Sequence, residues 1–124
     1  MKFTLESIAA VSVRSVANGQ FLIGDNKLSG TVALSTEGVI DNWPEVAIAD
    51  LGIEALAPLL ELQPELIVIG TGSRQELPGR DLMFAMARAN VGLEMMDTPA
   101  AARTFNVLIS EGRSVAAVLY PTDP

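Results

Sequence analysis

Four consecutive aliphatic side chains, Leu66-Ile67-Val68-Ile69, run without a polar break into Gly70. A surface helix or a half-exposed strand would interleave polar residues, so a short unbroken apolar run is the pattern of a strand buried on both faces. Such a strand commits the chain to a sheet covered above and below. The downstream sequence agrees. Asp81 to Asn90 reads as a helix with Leu82, Met83, Met86 and Ala89 on one side, and Leu93, Met95 and Met96 as a second buried strand. A helix opens at Thr98-Pro99 and stops near Gly112, and Val115 to Tyr120 forms the last strand. Strand–helix–strand–helix–strand over 66–120 calls for a partly parallel sheet, because each helical crossover returns the chain in the same direction.

The helix after Thr98 is the clearest element. At about 100° per residue, Ala101, Phe105, Leu108 and Ile109 share one face, and Arg103, Asn106 and Ser110 share the other. Thr98 suits the N-cap, Pro99 the first helical position and Gly112 the C-terminal stop.

Upstream the pattern is β. Val11, Val13 and Val16 approximate alternation with one slip, and Asn18-Gly19 offers a tight turn whose residues tolerate positive φ. Phe21-Leu22-Ile23 reads as a strand ended by Gly24-Asp25-Asn26. Ser29-Gly30 turns into Thr31 to Ser35, and Val39 to Trp43 adds another strand. Leu51 to Leu62 is rich in Leu, Ala and Glu and reads as a helix broken or restarted at Pro58 and closed by Pro64. The expected fold is α/β: three layers, a mixed central sheet flanked by helices, and an N-terminal β-hairpin layer, in one domain over 1–124.

Composition narrows the chemistry. The 124 residues are 49% hydrophobic and 19% charged, enough for a core and a hydrated surface. There is no cysteine, which removes disulfides, thiolate metal sites and cysteine nucleophiles, and no histidine, which removes the usual general base and the commonest metal ligand. Lys2 and Lys27 are the only lysines, with no context for Schiff-base work. No catalytic residues, metal or cofactor are indicated. A net charge of −7 opposes nucleic acid and anionic membrane surfaces. No apolar window is long enough to cross a bilayer, and Met1-Lys2-Phe3-Thr4-Leu5-Glu6 carries no export signal, so cytoplasmic residence without membrane insertion is expected.

The strongest local signal is Gly70-Thr71-Gly72-Ser73-Arg74-Gln75-Glu76, directly after the buried strand. Ligands of open α/β sheets bind beyond the carboxyl ends of the strands, and glycine lets backbone N–H groups approach an anion. Arg74 could add a bidentate contact to a carboxylate or phosphate. Yet Gln75 breaks the dinucleotide-binding spacing, no Gly-Lys-Ser/Thr follows, and Pro78-Gly79 postpones the next helix. The simpler reading of the same residues, and the favoured one, is a tight turn that uses glycine for its backbone geometry. Asp97 and Thr98 end the next strand and should lie on the same sheet edge, with Arg103 and Asn106 overhanging it. A polar pocket of Ser73, Arg74, Asp97, Thr98, Arg103 and Asn106 is one reading; helix capping and a solvated helix face are the other. Glu45, Asp50, Glu54 and Glu61 read as solvated charges, Trp43 as packed and the methionines as adaptable core filler.

Three stretches together resemble a known family: Pro64-Glu65-Leu66-Ile67-Val68-Ile69-Gly70-Thr71-Gly72, Leu93-Glu94-Met95-Met96-Asp97-Thr98, and Ala102-Arg103-Thr104-Phe105-Asn106-Val107-Leu108. This is a family of small domains of unknown function. It includes the mitochondrial complex I assembly factor three and the adipogenesis-associated domain proteins. The resemblance implies a three-layer α/β fold with a mixed sheet, implies no reaction, and suggests an assembly partner rather than an enzyme. Two functions follow as expectations. The first is a non-enzymatic binding or assembly module, presenting an apolar patch near Trp43 or at an unpaired sheet edge to a protein partner. The alternative is a binder, or modest enzyme, for a small anionic metabolite at Gly70–Arg74.

Overall fold

A computed structural model describes residues 5–123, so the readings placed on Met1 to Thr4, Lys2 among them, lie outside the described residues. The chain opens with helix α1 (Leu5–Val11) and three short strands, β1 (Val13–Ala17), β2 (Gln20–Ile23) and β3 (Asn26–Ser29). These strands pair antiparallel in sequence order as a separate sheet. Asn18 and Gly19 turn β1 into β2 with φ of 55° and 73°, as their tolerance of positive φ predicts. The slipped alternation of the valines has two causes. Val11 closes α1 rather than opening a strand, and a register shift lies between Val13 and Ser15. Asn26, expected to end a strand, instead begins β3.

The central sheet has the order β5-β4-β8-β6-β7. Its strands are β4 (Val32–Ser35), β5 (Gly38–Val39), β6 (Leu66–Gly70), β7 (Gly92–Met96) and β8 (Val115–Leu119). β6 pairs parallel with both β7 and β8, while β4 runs antiparallel to β8 and β5. The expected strand from Val39 to Trp43 shrinks to Gly38–Val39, and the chain then runs irregularly to a single 3₁₀ turn, Ile48–Asp50. Helix α2 (Ile53–Leu60) passes through Pro58 without a break. Proline removes one N–H there, on an exposed stretch where water can reach the freed carbonyl.

Alternation along the strands divides the core in two. Val68, Val115, Ala117 and Leu119 face α4 (Thr98–Ser110), α1 and the three-stranded sheet, around Phe105 and Phe21. Ile67, Ile69, Ala116 and Val118 face α2 and α3 (Arg80–Ala89), around Leu56, Leu59 and Met86. Layers thus lie on both faces of β6, as its sequence requires. The predicted face of α4 is buried at Ala101, Phe105, Leu108 and Ile109, with Ala102 added.

Two burial assignments, one on a helix and one on a strand, need correction. On α3 only Leu82 and Met86 are buried; Met83 and Ala89 are exposed. β7 is an edge strand, with Met95 buried but Leu93 and Met96 only half-buried. A strand at the end of a sheet has neighbours on one side only, however apolar its sequence.

Candidate functional site

The first candidate is a crevice of about 570 Å³ at the carboxyl ends of β6 and β8. The Thr71–Glu76 loop forms one wall and the 45–49 segment the other, with Tyr120 and Thr31 between them. The location is where α/β sheets bind ligands, since the chain moves from β6 outward to β7 and then back across to β8.

The hydrogen bonds of the loop close on the protein itself. Thr71 N–H donates to Met96 O at 2.8 Å, and Gly72 N–H donates to the Thr98 hydroxyl at 2.8 Å. Thr98 donates in turn to Tyr120 O at 2.6 Å, so one buried hydroxyl joins three strand ends. The Thr71 hydroxyl donates to Arg74 O and accepts from Glu76 N–H, pinning the loop across its own width. Ser73 Oγ accepts from Asp123 N–H. Gly70 is required for close approach: a Cβ there would stand 2.8 Å from Thr98 Oγ1 and 2.9 Å from Thr98 Cα. The N–H groups of Thr71, Gly72 and Glu76 therefore have protein partners. Charge also opposes an anion, because Glu45, Glu76 and Asp123 line the crevice and Arg74 is the only cation among its described lining residues.

The structure brings Gly70, Thr71, Gly72, Ser73, Arg74 and Thr98 together at this strand end, with Asp97 beside Thr98, and separates Arg103 and Asn106 from them. Asp97, not Thr98, is the N-cap of α4: its carboxylate accepts from Ala100 N–H at 2.8 Å, and Pro99 follows within the first two helical positions. Asn106 does not overhang the crevice. Its amide accepts from Val13 N–H and donates to Val13 O, both at 2.9 Å, clipping α4 to β1 in the other layer. Arg103 is exposed beside Thr104, Val107 and Leu108, also away from the loop.

Sequence reasoning missed Glu45 and Tyr120. Glu45 is exposed, as a solvated charge should be, but its carboxylate also accepts from both Thr31 N–H (2.9 Å) and the Thr31 hydroxyl (2.8 Å). Tyr120 donates to Val46 O, and burial, aided by the Glu45 charge, pushes its phenol from the ordinary 10 up to about 12. Trp43 is half-buried against the α2/α3 core, as read.

The second candidate is apolar. A groove of about 330 Å³ runs between α3 and the edge strand β7, lined by Leu77, Pro78, Met83, Ala87, Leu93 and Met95 among others. Leu77 is 79% exposed, Met83 53% and the neighbouring Phe84 56%. A helical wheel carries the signal for these: residues one and two steps after buried Leu82 lie about 100° and 200° away from it.

The fold and these surfaces define a class: a three-layer α/β domain whose strand-end loop is internally bonded and whose sheet edge is apolar and open. Residues 13–120 match the family described as "Protein of unknown function (DUF498/DUF598)", and the chain belongs to that family. It is 33% identical over 118 residues to the NADH dehydrogenase (ubiquinone) 1 alpha subcomplex assembly factor 3 of Bos taurus, covering 94% of this chain. The match spans 64% of that relative's length. The crystal structure of a Bordetella parapertussis protein superposes with a TM-score of 0.81 at 36% identity, over 89% of this chain and 94% of that one. A Bordetella pertussis protein described as an Mth938-like domain, solved by NMR, gives 0.79 at 30% identity over 99% and 94%. The expected family and mixed α/β architecture are those observed. Among the described residues no helix is long and apolar enough to cross a membrane.

Proposed function

We propose that this chain is a non-enzymatic binding module of the assembly-factor kind, which holds a protein partner against its exposed sheet edge. The observation that carries the reading is the groove beside β7, where Leu77 and Met83 stand open to solvent next to an edge strand of the central sheet. Exposing large apolar side chains together is costly, and it marks an interaction surface. Methionine suits such a surface because its flexible thioether adapts to a partner's shape. The relatives named as assembly factors support the same reading, as does a sequence without histidine or cysteine. The module acts in the cytoplasm, inserts into no membrane and binds no nucleic acid, in keeping with its net charge of −7.

The test is quantitative cross-linking in the native host with wild type, Met83→Asp and Arg74→Ala. A partner recovered with wild type and Arg74→Ala but lost with Met83→Asp is the expected result. No partner above background with wild type, or equal recovery with Met83→Asp, overturns the reading.

A further inference from the structure

Resting on that reading, the geometry points to the mode of docking: β7 receives an extended segment of the partner, in which apolar residues alternate with lysine or arginine, as a sixth strand of the central sheet. The ladder shows which groups are open. Gly92 N–H donates to Glu65 O and Met96 O accepts from Thr71 N–H, so residues 92, 94 and 96 are turned toward β6. Leu93 and Met95 therefore direct their N–H and C=O groups outward. One of these is covered: the side-chain amide of exposed Gln75 donates to Met95 O at 3.1 Å. Gln75 occupies the place of an incoming backbone N–H and is displaced by it.

The two faces of the edge specify the alternation. A strand added about 4.8 Å beyond β7 lays every second side chain along Met83, Ala87 and Leu77, filling the groove with apolar residues. Its remaining side chains lie on the opposite face beside Glu94, the one charged residue of β7 and exposed. A carboxylate there favours a cation on the neighbouring strand. The same residue disfavours a second copy of this chain. Antiparallel pairing centred on β7 sets Glu94 against its own copy at the close, non-hydrogen-bonded spacing.

The test uses the purified chain and three fluorescent peptides: alternating valine and lysine, alternating valine and glutamate, and the valine–lysine peptide with N-methylated backbone. Anisotropy gives affinity, and amide hydrogen exchange locates the contact. The valine–lysine peptide is expected to bind at least roughly fivefold tighter than the glutamate peptide, with Leu93 and Met95 amides protected and the N-methylated peptide inactive. Glu94→Lys reverses the preference. Glu54→Lys makes the same change in net charge at an exposed position of α2 and leaves it intact.

Equal effects of the two lysine variants, unchanged exchange at Leu93 and Met95, or binding by the N-methylated peptide would overturn strand addition. So would protection of those amides in a dimer without peptide. If strand addition fails while Met83→Asp still loses the cross-linked partner, the module reading stands and only the docking mode is wrong.

Discussion

The loop after β6 and the groove beside β7 sit at adjacent ends of the same pair of parallel strands, and they treat their unpaired groups in opposite ways. In the loop, Gly72 and Thr98 return each other's hydrogen bonds, Tyr120 O accepts from the Thr98 hydroxyl, and the Thr71 hydroxyl donates to Arg74 O. Along β7, backbone groups at Leu93 and Met95 point outward beside exposed Met83 and Leu77. A glycine-bearing loop at a strand end is the usual place to look for chemistry, whereas the edge of a sheet is usually a liability to be covered. Here the first is stabilising framework and the second is the open surface. Substitutions in the loop should thus cost stability, and substitutions in the groove should cost partner binding.

The largest stability effect belongs to Thr98→Val, which keeps the shape but strands Gly72 N–H and Tyr120 O in the interior. A loss of about 3 kcal/mol is expected, read by urea denaturation with an unchanged m-value. Gly70→Ala comes next. Its Cβ meets Thr98 and Ala101 across the β6–α4 contact, at an expected cost of about 2 kcal/mol. Asp97→Ala removes the N-cap of α4 and should cost about 1 kcal/mol by the same measurement.

Tyr120 sharpens the comparison through pH. Its folded pKa, about 12, lies above the ordinary 10, so between these values the unfolded chain releases a proton that the folded one keeps. The stability this contributes is complete below pH 10 and is lost as pH rises through 12. Tyr120→Phe should flatten that alkaline decline, as followed by melting temperature across the range. The smallest effect belongs to Arg74→Ala, within about 0.5 kcal/mol of wild type because its guanidinium is exposed. A thermal-shift screen with phosphates, nucleotides and small carboxylates should move neither protein. A ligand at about a hundred times its Kd adds roughly 2.7 kcal/mol, so a shift in wild type that Arg74→Ala abolishes would reverse the assignment of the two regions.

Legibility in the sequence followed the range of the interactions. Helix α4 could be read because its face, its stop and the residues of its cap are local, and even there the cap moved by one residue from Thr98 to Asp97. That shift mattered, since it released the Thr98 hydroxyl to join β6, β7 and β8. Helix α1 was invisible: Leu5–Val11 spans barely two turns and buries only Val11, too little for a periodic signal. Asn106 was assigned to a solvated face, but its partner, Val13, is far away along the chain. Glu45 likewise found Thr31 across an irregular segment that propensity had mistaken for a strand.

By itself the sequence determined that a strand over 66–70 is buried on both faces, that helices must cover it, and that the chemistry of histidine and cysteine is absent. Those conclusions rest on residue type and spacing along the chain. Only the tertiary structure decided that the loop after β6 is bonded to itself and that, among the described residues, β7 has no outer neighbour. Hydrophobicity records that Leu93, Met95 and Met83 avoid water. Whether this chain or another molecule keeps water from them depends on where the sheet ends, which no local pattern encodes.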